Sequence, residues 1–100
     1  MVTNNMRPIH PGEILREEFL APLDMSANAL ALALKVPAPR INDIVREKRA
    51  ITPDTALRLA RYFGTTPEFW LNLQTAYDLR RARSELGATI EHEVSPRMAA

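Results

Sequence analysis

A chain of 100 residues is long enough for one compact domain with a short tail and too short for a two-domain enzyme. Hydrophobic residues make up 46% and charged residues 25%, a globular balance that excludes a disordered protein. There is no cysteine, so no disulfide reinforces a small core, which suits a reducing compartment and burial gained by dimerisation. No apolar run approaches the ~20 residues that span a bilayer, and the N-terminus lacks a basic and then greasy leader pattern. A soluble cytoplasmic protein is expected.

Residues 1–9 read as a loose tail, because they are polar and patternless. His10-Pro11-Gly12-Glu13 opens a first helix, with Pro11 in the first turn and Glu13 favourable to the helix dipole. Ile14, Leu15, Phe19 and Leu20 give it an apolar face, and Pro22 is expected to end it. Ser26 is the N-cap of a second helix, rich in alanine and leucine, that runs to Leu34. After the short break Lys35-Val36-Pro37, residues 38–46 form a third, with Pro39 tolerated in its first turn. Thr52-Pro53-Asp54 caps a fourth, in which Ala56, Leu59, Ala60 and Phe63 recur at helical spacing and Gly64 stops the helix. Thr66-Pro67-Glu68 repeats that start for a longer fifth helix towards Glu85, closed by Gly87. Residues 90–94 alternate apolar and acidic side chains and read either as a short strand or as disordered.

Leu30, Ala31, Leu34, Val36, Ile41 and Ile44 carry the spacing of a helix-turn-helix. Ala31 permits close helix approach, Val36 plugs the turn, and Ile41 and Ile44 anchor the second helix from below. If Ile41, Ile44 and Val45 face inward, Pro39, Arg40, Asp43, Arg46 and Glu47 face outward. The bland reading is an αα-hairpin packed for stability alone, and charge argues against it. The net charge is only +1, yet Lys35, Arg40, Arg46, Lys48, Arg49, Arg58 and Arg61 crowd the middle third against Asp43, Glu47 and Asp54. Such a face fits a major groove, its helix start reading base edges while Lys48 and Arg49 meet phosphate. Lys35 stands where this turn often has glycine, which points to a left-handed or otherwise adjusted backbone there.

The string from His10 to Leu15, the helix-turn-helix, residues 51–65 and the run Pro67-Glu68-Phe69-Trp70-Leu71-Asn72-Leu73-Gln74 with Tyr77-Asp78-Leu79 resemble the HigA antitoxins. These are the VapI-type subgroup of the Xre, or Cro/C1-type, regulators, and the likeness runs from about residue 10 to residue 86. It implies an all-α, five-helix, lambda-repressor-like DNA-binding domain over residues 10–86, a tail at 1–9 and a C-terminal extension at 87–100. It also implies a homodimer that represses its own operon and neutralises a RelE-fold, ribosome-dependent mRNA endonuclease of the HigB type. The family's reading helix falls on residues 38–46, so base contacts pass to Arg40, Asn42 and Asp43. Ser26, Asn28, Ala38, Pro39, Arg46, Lys48 and Arg49 complete the expected DNA-binding set. Ala38-Pro39 is less polar than in many relatives, which leaves a thymine-methyl contact open at that step.

Phe69, Trp70, Leu73 and Tyr77 are the expected dimer interface; Trp70 divides between ordinary core and interface, with a lean to the interface. His10 and His92 lie far apart without cysteine partners, so no metal site is expected. Neither a nucleophile paired with a base nor a phosphate loop is visible, so no enzyme, cofactor or small-molecule substrate is expected. Glu17-Glu18 and the Arg80-Arg81-Arg83 run read as helix surface. The alternative function is a stand-alone Xre-type repressor without a toxin partner. A small enzyme or RNA-binding module is poorly supported, since no stacking platform is visible.

Overall fold

Five helices account for all regular structure among the residues that the computed structural model describes, 7–98. The part of the expected tail at residues 1–6 and the last two positions of the expected extension lie outside them. Helix α1 occupies residues 11–23 and changes pitch along its length. It is α-helical over Pro11–Ile14, π-helical over Leu15–Leu20 and α-helical again over Ala21–Leu23. Pro22 explains the wide turns: in a regular α-helix its ring would press on the carbonyl four residues back. The Ala21 N–H instead reaches five residues back to the Arg16 carbonyl. The chain therefore passes Pro22 and stops one residue later, where Asp24 turns left-handed at φ 52°.

Helices α2 (Ala27–Leu34) and α3 (Ala38–Val45) follow the expected boundaries closely. The Ser26 hydroxyl caps α2 by accepting from the Ala29 N–H at 3.0 Å. Lys35 is left-handed at φ 64°, as its position in the turn suggested, and the Val36 N–H returns to the Ala31 carbonyl at 3.1 Å. Helix α4 (Pro53–Phe63) ends at Gly64, which is also left-handed. Helix α5 spans Pro67–Glu93, with the Thr66 hydroxyl accepting from the Phe69 N–H.

Gly87 does not close α5: the helix continues through it to Glu93, and residues 90–93 form neither a strand nor a coil. A helix-interior glycine costs only ~1 kcal/mol relative to alanine, and among the described residues no strand offers residues 90–94 a ladder to join. Trp70 is core, with no exposed surface. Its ring packs against Phe19 at 5.0 Å and Phe69 at 5.0 Å, and its indole N–H donates to the Thr65 hydroxyl at 2.8 Å.

Leu15, Leu30, Ile41, Ile44, Ala56, Leu59 and Trp70 form the centre of the core, drawn from all five helices. Gln74 ties the α3–α4 loop to α5 by accepting from the buried Ile51 N–H at 2.7 Å. Helices α1 and α3 approach closely at Gly12. A Cβ at Gly12 would stand 1.8 Å from the Ile44 carbonyl oxygen, so only glycine lets α1 approach the end of α3. Replacing Gly12 by alanine is expected to cost about 3 kcal/mol, since backbone and not a flexible side chain stands in the way. Urea unfolding would read this as a lower midpoint at unchanged slope.

Candidate nucleic-acid interface

The start of α2 and the whole of α3 share one surface. The Asn42 side-chain amide of α3 donates to the Asn28 side chain of α2 at 2.7 Å and to the Ala38 carbonyl at 2.9 Å. This bridge brings Asn28 beside Ala38 and Asn42, so candidates from two helices meet. Ile41 and Ile44 are fully buried beneath them, and Val45 is half-buried against the same core. Pro39 and Arg46 are exposed, as are Lys48 and Arg49 just beyond the helix.

Arg40 and Asp43 are only half exposed, because each has a charged partner. Arg40 donates to the Asp54 carboxylate of α4, and the Arg58 Nε donates to the same carboxylate at 3.1 and 3.2 Å. Arg58 and Arg40 together hold the Asp54 carboxyl below the usual range. Arg58 also caps α2, donating to the Leu34 carbonyl at 2.9 Å. Arg49 pairs with Asp43 at 3.4 Å. Arg40, Asn42 and Asp43 are thus held by neighbouring side chains.

The sequence reading missed Asp54 and Arg58 as members of this surface. Their i, i+4 spacing was a visible signal, but the approach of α4 to Arg40 was not. It also missed Arg16, which donates to the Val45 carbonyl at the end of α3 and pairs with Glu47 at 3.4 Å. Glu47 is left-handed at φ 65° and lets the Lys48 N–H return to the Asp43 carbonyl at 2.8 Å.

The helix-turn-helix family model matches residues 15–70. Virulence-associated protein I of Dichelobacter nodosus is 63% identical over 82 residues, covering 82% of this chain and 76% of that protein. The antitoxin HigA-1 of Vibrio cholerae is 40% identical over 78 residues, covering 78% and 73%. The solved Pseudomonas aeruginosa antitoxin HigA with the higBA promoter superposes with a TM-score of 0.90 at 59% identity, covering 92% of this chain and all of that one. The chain is a helix-turn-helix protein of the HigA family. The antitoxin GraA in complex with its operator has the same fold, with a TM-score of 0.89 at 54% identity, covering 99% and 100%.

Of the four residues expected to meet a partner subunit, this HigA-family chain uses Trp70 internally. Phe69 is exposed, Leu73 is half-buried against the core, and Tyr77 is half-buried with its ring edge-on to His10 at 4.7 Å. His10 is itself buried and caps α1, its Nδ1 accepting from the Gly12 N–H at 2.8 Å. That bond requires an unprotonated Nδ1. Burial holds the imidazole below its usual value; Arg81 acts in the same direction, and Glu47 and Asp78 oppose them. As pH drops, the unfolded chain therefore takes up the proton first. The His10 contribution to stability is complete above about pH 6.5 and is lost as pH falls through the lower folded value. Denaturation midpoints measured from pH 7.5 to 5 should fall for the wild type. His10→Asn keeps a capping acceptor but no titrating ring, so its midpoints should fall less over the same range.

Proposed function

We propose that the protein is the antitoxin and autorepressor of a toxin–antitoxin pair. On this reading two copies bind operator DNA through α3 and the start of α2, in the cytoplasm, and a separate surface captures a RelE-fold, HigB-type toxin. The observation that carries it is the likeness over nearly the whole chain to antitoxins solved with promoter or operator DNA. The α2–α3 surface described above supports it. Arg40 reads a base edge, Asn42 and Asp43 contact neighbouring positions, and Ala38-Pro39 lies against the groove floor. Ser26, Asn28, Arg46, Lys48 and Arg49 meet the backbone. The DNA-binding body begins at His10 and ends with the packed first part of α5. Inhibition is stoichiometric and not catalytic, so rescue of growth saturates near one chain per toxin.

Arg40→Ala is expected to weaken operator binding by about 1–3 kcal/mol per half-site, with an unchanged circular dichroism spectrum. A gel-shift titration measures it, and unchanged affinity would move the reading helix elsewhere. The same variant should still rescue cells from the co-expressed toxin. Rescue lost in a folded Arg40→Ala protein would mean that the two surfaces overlap. A wild-type protein that binds its operator but rescues nothing would favour the stand-alone repressor.

Salt provides a second check. A dimer that neutralises roughly six phosphates should show a log–log slope of affinity against salt near −5. Palindromic half-sites should lie one helical turn apart, or a multiple of it, because a two-fold dimer presents both reading helices to one face. A flat salt response would remove the electrostatic half of the reading.

A further inference from the structure

The Asp54 carboxylate lies in the first turn of α4. The helix dipole explains an acid there but not the direction of its side chain. The carboxylate accepts from Arg40, fourteen positions back on α3, and from the Arg58 Nε one turn on at 3.1 and 3.2 Å. Arg58 is anchored in turn, its Nη1 donating to the Leu34 carbonyl at the end of α2 at 2.9 Å. Asp54 is thereby tied to both helices of the helix-turn-helix. Its side chain is nevertheless 54% exposed and that of Arg40 30%, so the pair closes without deep burial and adds little to stability.

Only one corner of the Arg40 guanidinium is used. Its Nη1 donates to Asp54, while Nε and Nη2 have no partner among the described residues. Guanine offers O6 and N7 as paired acceptors, and an arginine fork meets them with two parallel donors. A guanidinium already held at Nη1 presents its Nε–Nη2 edge in a set direction and loses less side-chain freedom on making that pair. A swing onto a phosphate would instead break the bond to Asp54. Arg46 and Lys48, by contrast, form no ion pair among the described residues, so nothing restrains them from following the backbone. The Asp54 charge itself repels every phosphate alike, whatever the sequence.

We infer that Asp54 is a positioning residue for base readout: it holds Arg40 with the Nε–Nη2 edge free for a guanine, raising selectivity for the operator while lowering general affinity for duplex DNA. This rests on the operator-binding reading proposed above and places a specificity determinant outside the reading helix. Arg58 belongs to the same device, because it fixes the carboxylate against the end of α2. Selectivity of this kind comes from weakening the wrong contacts as well as from making the right one.

The test titrates the full chain, at one salt concentration, against its operator, operators with single base-pair changes and a random duplex of equal length. Arg40→Ala marks the base pair that Arg40 reads, where the wild type discriminates about five- to 150-fold and the variant does not. Asp54→Ala removes the carboxylate at an exposed site with a good helix former. It should discriminate that same pair by less than about threefold and every other pair as the wild type does. Its affinity for the random duplex should rise about two- to fivefold, a direction that loss of a merely structural residue would not give. In an Arg40→Ala background, Asp54→Ala should change discrimination at no base pair. Asp54→Ser should behave as Asp54→Ala does, both with the wild-type circular dichroism spectrum. Full discrimination in the Asp54 variants overturns the inference and leaves the proposed function intact, as does affinity lost evenly for all duplexes. A changed spectrum in both variants marks a structural role and overturns it too. If Arg40→Ala alters discrimination at no base pair, the base contact proposed for Arg40 fails and the inference fails with it.

Discussion

Backbone contact between Gly12 and the Ile44 carbonyl sets the position of α3, and through it the geometry of the whole surface. An eight-residue helix cannot persist on local hydrogen bonds alone, so α3 exists because its neighbours hold it. At its C-terminal end, α1 presses against Ile44, and Arg16 of the same helix satisfies the Val45 carbonyl. At its start, Asn28 of α2 accepts from Asn42. Along its side, Asp54 of α4 fixes Arg40. The His10 cap belongs to this chain of dependence, because it orders the first turn of α1 that carries Gly12.

The electrostatics of the surface follow from the same neighbours. Asp54 serves two arginines, so positive charge remains in excess around it after pairing. These are exposed ion pairs, worth little to stability in water. Their effect is orientational: a guanidinium held by a carboxylate starts from a defined position when a phosphate or a base edge competes for it. That is consistent with a protein whose stability comes from Leu, Ile and Trp beneath the surface and whose recognition groups lie above it.

Helix α5 has two unlike parts along its length. Its first turns complete the core through Trp70 and lock the α3–α4 loop through Gln74. Its remaining turns leave the body and keep an apolar stripe in solvent. The thermodynamic incentive to cover such a stripe is ordinary hydrophobic burial.

The helices, their caps at Ser26 and Thr66, the stops at Leu34 and Gly64, and the inward set Ile41 and Ile44 were all legible in the sequence. Each depends on interactions within a few residues, where periodicity and capping chemistry act directly. The passage of α1 beyond Pro22 was not legible, because a proline fits a helix stop and a wide turn that accommodates its ring equally well. The continuation of α5 through Gly87 was hidden for a related reason: a glycine stops a helix only where the backbone turns left-handed, and here it does not. Trp70 illustrates the larger limit. Its composition-level signal, a lone large aromatic, fits core and interface equally, and only the crossing of α5 over Phe19 of α1 settles which. Likewise Arg40 was placed outward from helical spacing alone, whereas its pairing with Asp54, fourteen positions away, needed α4 to arrive beside α3. Local sequence determined the elements and the sign of the charge they display. The packing of distant segments determined which side chains share a surface, because contact between them depends on helix placement and not on spacing along the chain.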